Sequence, residues 1–383
     1  MARDPRDPQD MRDPRDTRDP QEARSTEIWI LGATGRIGAA VAARLASRGV
    51  PLVLVGRDRD RLDKAQASLG GDGRARVVVA DTAEKIAQQI EQRIAQRHPA
   101  VVVNTIGEYA KTALPIARAC MPGGHYLDLA ADPIAVSRLL DLNEEAAAAG
   151  STLVTGAGFG VLACEAVVVK LCADRPVPSH VRVDALGSVA LEAGAMGVAF
   201  AASVIDVLIT GGLRYEDGRL VKARVGADVQ HHTLPDGQSV KSAGAPSGEL
   251  IAAQLASRAP DVSVTTALAP TNKAVRAVLP LVGKLVSIPA LRRFAVRRMA
   301  GIQLKATPRP RQHSWGHAVV TWPDGTRREG WLRADDGMDY TADVAAETAT
   351  RLVRGEGKPG AHTPAAALGP DLATAAGGTF VIE

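Results

Sequence analysis

The chain has 383 residues, 46% of them hydrophobic, and a formal charge of +4. Such a length and apolar content fit two folded domains with a sizeable core, while so small a net charge gives no warrant for nucleic-acid binding. Cys120, Cys164 and Cys172 form no Cys-x-x-Cys pair, which argues against a disulfide framework or a zinc knuckle.

Residues 1–25 repeat an Arg-Asp-Pro theme (Arg3-Asp4-Pro5, Arg6-Asp7-Pro8, Arg12-Asp13-Pro14, Arg18-Asp19-Pro20) with almost nothing apolar to bury, and are expected to be a disordered tail. No run of about 18 apolar residues follows. With a charged N-terminus where a signal peptide would be apolar, the expected location is cytoplasmic.

From Glu27 short apolar runs alternate with helical stretches. Ile28–Leu31, Leu52–Val55, Val77–Ala80, Val101–Val103, His125–Leu129 and Ser151–Thr155 read as strands. Helices are expected over Ile37–Arg48, Arg59–Ser68, Glu84–Gln96 and Ile134–Ala149. This alternation predicts an α/β domain with a doubly wound parallel sheet of the Rossmann type over residues 26–158. Beyond it, Val181–Gly187, Arg219–Val225 and His317–Trp322 read as strands, with turns at Glu216-Asp-Gly218, Pro235-Asp-Gly237 and Pro323-Asp-Gly325. Residues 159–335 are therefore expected to form an inserted α+β substrate and dimerisation domain. A last segment, 336–383 with a helix over Ala342–Arg354, is expected to pack back on the first domain.

Gly32-Ala-Thr-Gly35-Arg-Ile-Gly38 follows the first strand and opens a helix, the setting a dinucleotide-binding loop requires. Its glycines allow a tight turn, and the helix N-terminus offers amides and a positive dipole end to a pyrophosphate. Gly32, Thr34, Gly35, Arg36, Ile37 and Gly38 are the candidate contacts. At the end of the second strand, Arg57 stands where an acid would bind the ribose of NAD, which favours NADP(H). Asp58 beside it argues the other way. At the carboxyl end of the sheet, Asp81 and Thr82 are expected near the adenine, and Asn104, Thr105 and Gly107 near the nicotinamide ribose.

No tyrosine has a lysine four residues later, so the Tyr-x-x-x-Lys mechanism of short-chain reductases is excluded. No Ser-Cys-Thr-Thr-Asn thiol motif is present either. A proton donor for reduction of a C=N or C=C bond is sought among Tyr109, Lys111, His125 and Tyr126, with Asp128 and Asp132 nearby. His313 and His317 have the spacing of a helical metal pair, but Trp315-Gly316 breaks the helix it needs, so no metal site is assigned. His231 and His232 are expected to be exposed.

Between Val262 and Pro323 there is no acidic residue, while ten lysines and arginines fall between Lys273 and Arg311. This stretch reads either as a solvated helix face or as a contact for an anionic partner, a membrane surface or an acyl carrier.

With these residues in view, the chain from about Ile28 onward resembles the saccharopine dehydrogenase-like oxidoreductases. The likeness rests on Gly32-Ala-Thr-Gly35, on Asn104-Thr-Ile-Gly107 with Tyr109, Pro115, Ala119 and Cys120, on His125-Tyr-Leu-Asp128, on Gly158-Phe159, and on Thr363-Pro364-Ala365 with Gly369. Glu108 replaces a frequent proline, Ala131-Asp132 stands where Gly-Glu is common, and Gly160–Glu165 lacks the usual Asp-Ser-x-Pro-Ser-Asp run. The resemblance implies NADP(H) binding, an interrupted Rossmann domain and a homodimer. It also implies a reductase of a C=N or activated C=C bond in secondary or lipid metabolism. Its substrate is small or carrier-bound, since some bacterial relatives are trans-acting enoyl reductases. A catalytically inactive NADPH sensor or scaffold is the competing expectation.

Overall fold

The computed structural model describes residues 26–70, 73–80, 88, 91, 92, 94 and 99–382. The Arg-Asp-Pro tail, Asp81, Thr82 and most of the helix expected over Glu84–Gln96 lie outside the described residues.

In the first lobe β1 (Ile28–Leu31), β2 (Leu52–Gly56), β3 (Ala75–Val79), β4 (Val101–Asn104), β5 (His125–Asp128) and β6 (Thr152–Val154) alternate with α1 (Arg36–Ser47), α2 (Arg59–Ser68), α3 (Tyr109–Cys120), α4 (Pro133–Leu140) and α5 (Asn143–Ala148). The strands pair in parallel in the order β3-β2-β1-β4-β5-β6. This is the doubly wound arrangement, with its order reversing between β1 and β4. All four residues of β1 and of β4 are buried, as a strand covered on both faces requires. The single helix expected over Ile134–Ala149 is two, α4 and α5, separated at Asp141–Leu142.

The second lobe begins with α6 (Phe159–Cys172), apolar on every side and almost wholly buried. β7 (His180–Leu186), β8 (Gly194–Ala195), α7 (Val198–Thr210), β9 (Gly212–Glu216), β10 (Arg219–Ala223), β11 (Gln230–Thr233), β12 (Ser239–Gly244), α8 (Gly248–Ser257), β13 (Asp261–Thr266), α9 (Lys273–Val286), α10 (Pro289–Ala300), β14 (Gln303–Leu304), β15 (Ser314–Thr321) and β16 (Arg327–Ala334) follow. The turn between β9 and β10 places Asp217 at φ 50° and Gly218 at φ 75°, the left-handed pair a two-residue hairpin needs. The principal sheet here is mixed, in the order β10-β9-β13-β7-β15-β16, with a last strand, β18 (Thr379–Ile382), beside β16.

The last segment, α11 (Gly337–Val353), β17 (Gly360–His362), α12 (Pro364–Leu368), α13 (Leu372–Ala375) and β18 (Thr379–Ile382), is divided between the lobes. β17 extends the first sheet by pairing with β6, and α11 packs on α1. β18, however, pairs with β16 in the second sheet, so the segment does not pack on the first lobe alone. One continuous core runs from Ile30 and Leu127 through Leu162 and Val167 of α6 to Val183 and Val320. The two lobes therefore share an interior.

Candidate nucleotide-binding and active site

The loop after β1 is held from below. Gly32 has φ +82°, and a Cβ on it would come 2.8 Å from Thr105 Oγ1. Thr105 in turn donates to the Leu31 carbonyl at 2.7 Å. Gly38 packs against the Gly32 carbonyl so closely that no side chain fits. These two glycines let α1 start directly against the end of the sheet. Its N-cap, Gly35, has no side chain to give, so the first amides of α1 have no side-chain cap. A phosphate is the partner such an end accepts best.

The end of β2 resolves the competing signals at Arg57 and Asp58. Asp58 is the N-cap of α2, its carboxylate accepting from the Arg61 amide at 3.0 Å. Arg57 is exposed and makes no hydrogen bond or ion pair among the described residues. The acid that would suit the ribose of NAD is thus engaged by its own helix, while the cation that suits an added phosphate is free. Arg61, which sequence reasoning missed, donates to the Thr34 carbonyl at 2.9 Å and brings a second guanidinium to the loop. The capping spacing of Asp58 and Arg61 was the signal that could have found it. Arg36 leans the other way, bonding the Ala190 carbonyl at 3.1 Å and Glu192 at 3.1 Å in the second lobe.

Asn104 does not turn toward a ligand as expected. Its side chain is buried, donating to the Tyr126 hydroxyl at 3.0 Å and accepting from the Ile106 amide at 3.2 Å. Thr105 is likewise spent on the loop below it. Gly107, at φ +78°, precedes Glu108 at φ 45°, which opens α3 in a left-handed conformation.

The four candidate proton donors are not brought together. His125 is the first residue of β5, level with Val101, whereas the nucleotide loop lies at the other end of the strands. Its Nδ1 accepts from the Thr152 amide at 3.0 Å, so its expected catalytic place is corrected to a strand-end fastening. Lys111 is exposed and paired with Glu108 at 3.1 Å. Tyr126 is completely buried, its hydroxyl held between Asn104 and Asp128 Oδ2 at 3.0 Å. Asp128 also accepts from the Ala130 amide, the Thr155 hydroxyl and the Gly156 amide, joining the ends of β5 and β6. Burial raises its pKa against the pull of those donors. Asp132 caps α4 through the Ala135 amide at 2.8 Å.

Tyr109 remains. It opens α3 beside the carboxyl end of β5, packed with Ala130, Val136 and Ile251 where the lobes meet. Burial of its phenol, with the Asp128 charge nearby, drives its pKa far above the usual value, and the Leu129 amide offsets this only in part. The group is a neutral O–H donor at any working pH.

Glu249, also missed from sequence, lies at this junction. The Gly248 amide bonds the Ala131 carbonyl at 2.8 Å, and the Glu249 carboxyl rests against Gly160 in the first turn of α6. Its Oε2 is buried with no partner among the described residues, and burial raises its pKa. The bare Gly160, where the resemblance leads one to expect an aspartate, was the only hint in the sequence.

Among the histidines elsewhere, one reading is corrected. His232 is buried, with Nε2 2.9 Å from Ser242 Oγ, because the β11–β12 hairpin folds over the second sheet. His317 sits on β15, Nδ1 2.7 Å from Asp184 and Nε2 3.0 Å from Glu329. Burial lowers its pKa, but these two carboxylates outweigh that and raise it, favouring the protonated ring. Potential ligand atoms of Asp184, His232 and His317 do lie within 4.8 Å of one another, yet hydrogen bonds already occupy them.

Comparison with known proteins agrees with the loop geometry. Residues 28–154 match the family model described as the saccharopine dehydrogenase NADP binding domain. A Mycobacterium tuberculosis protein provisionally named a trans-acting enoyl reductase is 31% identical over 176 residues, 45% of this chain and 38% of the relative. The trans-acting enoyl reductase of Mycobacterium leprae is 30% identical over 153 residues, 39% of this chain and 36% of that protein. The match thus spans well under half the length of these relatives. Among solved structures, a short-chain dehydrogenase from Sphingobium yanoikuyae in complex with NADPH covers 34% of this chain and 70% of its own at 20% identity and a TM-score of 0.29, too low to argue from. Residues 28–154 are thus similar to the saccharopine dehydrogenase NADP binding domain, and the nucleotide of this loop is NADP(H).

Proposed function

We infer that the protein is an NADPH-dependent reductase of an activated C=C bond, acting on an enoyl group of a small or carrier-bound acyl thioester. The observation that carries this reading is the pairing at the end of β2, Asp58 engaged and Arg57 free, on a loop whose family model is an NADP-binding one. The relatives named trans-acting enoyl reductases support the choice of a C=C bond and of a substrate presented by another protein.

When bound, NADPH supplies a hydride. The chain's own contribution is to fix the pyrophosphate on α1, hold the added phosphate with Arg57 and Arg61, and provide a proton. Tyr109 is the donor: its Oη keeps its proton, it lies at the carboxyl end of the sheet, and it faces the junction between the lobes. A cytoplasmic setting, where NADPH is kept reduced, belongs to the same proposal. A homodimer does too, supported by the half-exposed apolar edge formed by Val381 and Ile382 of β18.

The test is loss of nicotinamide absorbance on mixing purified protein with NADPH and enoyl thioesters of increasing chain length. Turnover with NADPH and not NADH supports the proposal. Tight NADPH binding without turnover of any enoyl or imine acceptor would instead leave a nucleotide-binding scaffold.

A further inference from the structure

Helices α7, α9 and α10 pack chiefly on one another, around Ala201, Ala202, Ile205 and Val296. Gly283 of α9 makes the closest approach, its Cα lying against the Leu208 carbonyl so that no side chain fits. This small core leaves most of the apolar surface of α9 and α10 uncovered. Val275, Val278, Leu281 and Leu285 recur every three or four residues along α9 and are 46–62% exposed. Past a bend of 117° the stripe continues on α10 with Leu291 at 36% and Phe294 at 68%. Single exposed apolar residues are ordinary, but a continuous stripe around a helical corner is not.

The charges beside the stripe have one sign. Arg292 is paired with Asp206 at 2.8 Å. Lys273, Lys284, Arg293, Arg297 and Arg298 are exposed and have no ion pair among the described residues, and no acid occurs between Val262 and Pro323. A second copy of this chain would bring like charges together across a two-fold axis. An acidic protein would satisfy the cations yet offers no reason for apolar residues at the corner. An anionic bilayer satisfies both, headgroups meeting the cations and acyl chains receiving the corner. No single described helix is long and apolar enough to cross a bilayer; α9 and α10 reach that length and composition only together, across the 117° bend, and the cations along α10 favour a place at the surface over a bent span.

The geometry points to the α9–α10 corner as a docking site for an anionic membrane surface, with Leu281, Leu285 and Phe294 inserted and Arg293, Arg297 and Arg298 against the headgroups. This does not depend on the reductase reading: it concerns where the protein sits, not what it reduces.

The experiment is sedimentation of the full chain with vesicles of phosphatidylcholine alone and of an equal mixture with phosphatidylglycerol. Binding to the mixed vesicles only is expected, weakening by about fivefold for each of Arg297→Gln and Arg298→Gln. Leu281→Ser with Phe294→Ser should lower it by at least about tenfold, since both side chains leave the acyl phase. All four positions are exposed, so NADPH affinity and melting temperature should stay at the wild-type value and report an intact fold. The proposal is overturned if wild-type protein ignores both vesicles, or if the serine pair binds them as well as wild type. It is equally overturned if that pair converts a dimer to a monomer, since the corner would then be a subunit contact.

Discussion

The carboxyl of Glu249 occupies the space that a side chain on Gly160 would need. One residue lies in the first turn of α8 and the other in the first turn of α6, so this contact sets how closely the two helices begin. Gly160→Ala should destabilise the fold by about 1–3 kcal/mol through overpacking. Combining it with Glu249→Ala should restore much of that loss, with a coupling of about 1–2 kcal/mol in a double-mutant cycle of urea midpoints. Additive losses would show that the two do not compete for one space.

The nucleotide preference should reside in Arg57 and not in its neighbour. Arg57→Glu is expected to raise the Kd for NADPH about 10- to 100-fold, the scale of a lost charge-assisted contact, and to leave NADH nearly unchanged. Asp58→Ala should instead cost about 1 kcal/mol of stability through the lost cap and leave the ratio of the two affinities as it was. Fluorescence titration with both nucleotides distinguishes the two effects.

Three substitutions separate chemistry from scaffolding. Tyr109→Phe should reduce kcat by about 10²–10⁴-fold with an unaltered melting temperature, as loss of a proton donor does. Tyr126→Phe should do the reverse, costing about 1–3 kcal/mol of stability because Asn104 and Asp128 each lose a buried partner. His125→Ala, at the far end of the strand, should leave kcat within about twofold of wild type.

Glu165 makes stability depend on pH. Its carboxylate accepts from the Thr363 hydroxyl and the Ala365 and Ala366 amides, but burial prevails and raises its pKa from 4.5 to about 7. Unfolding returns the group to its ordinary value, so between these limits the unfolded chain holds fewer protons than the folded one. The contribution is complete below about 4.5 and declines as pH rises to about 7, by on the order of 3 kcal/mol. Glu165→Gln should flatten that slope when urea midpoints are compared across the window.

The parallel sheet was legible because its strands are short unbroken apolar runs set between amphipathic helices, and Gly32–Gly38 announced the nucleotide loop by its place after the first of them. The candidate site was legible only in part. Asn104 is a polar residue at the correct edge of the correct strand, and sequence cannot tell a side chain turned inward to Tyr126 from one turned out to a ligand. His125 failed for a different reason: four residues in one strand span about 10 Å, so nearness in sequence hid a difference in sheet edge. Glu249 and His232 were hidden because long-range folding, through α8 and the β11–β12 hairpin, buries them against partners distant in the chain.

The final residues give the molecule a mechanical property. Within about two dozen positions the chain adds β17 to one sheet and β18 to the other, while Tyr340 of α11 donates to the Ala373 carbonyl at 2.7 Å between them. A two-lobed enzyme is usually pictured as a pair of jaws on a hinge. Here a strap crosses the hinge and is hydrogen-bonded into both jaws, so wide opening would tear strands from a sheet. The lobes should melt as one body, and a substrate should reach Tyr109 through local movement of loops such as Ala190–Glu192 rather than by parting of the halves.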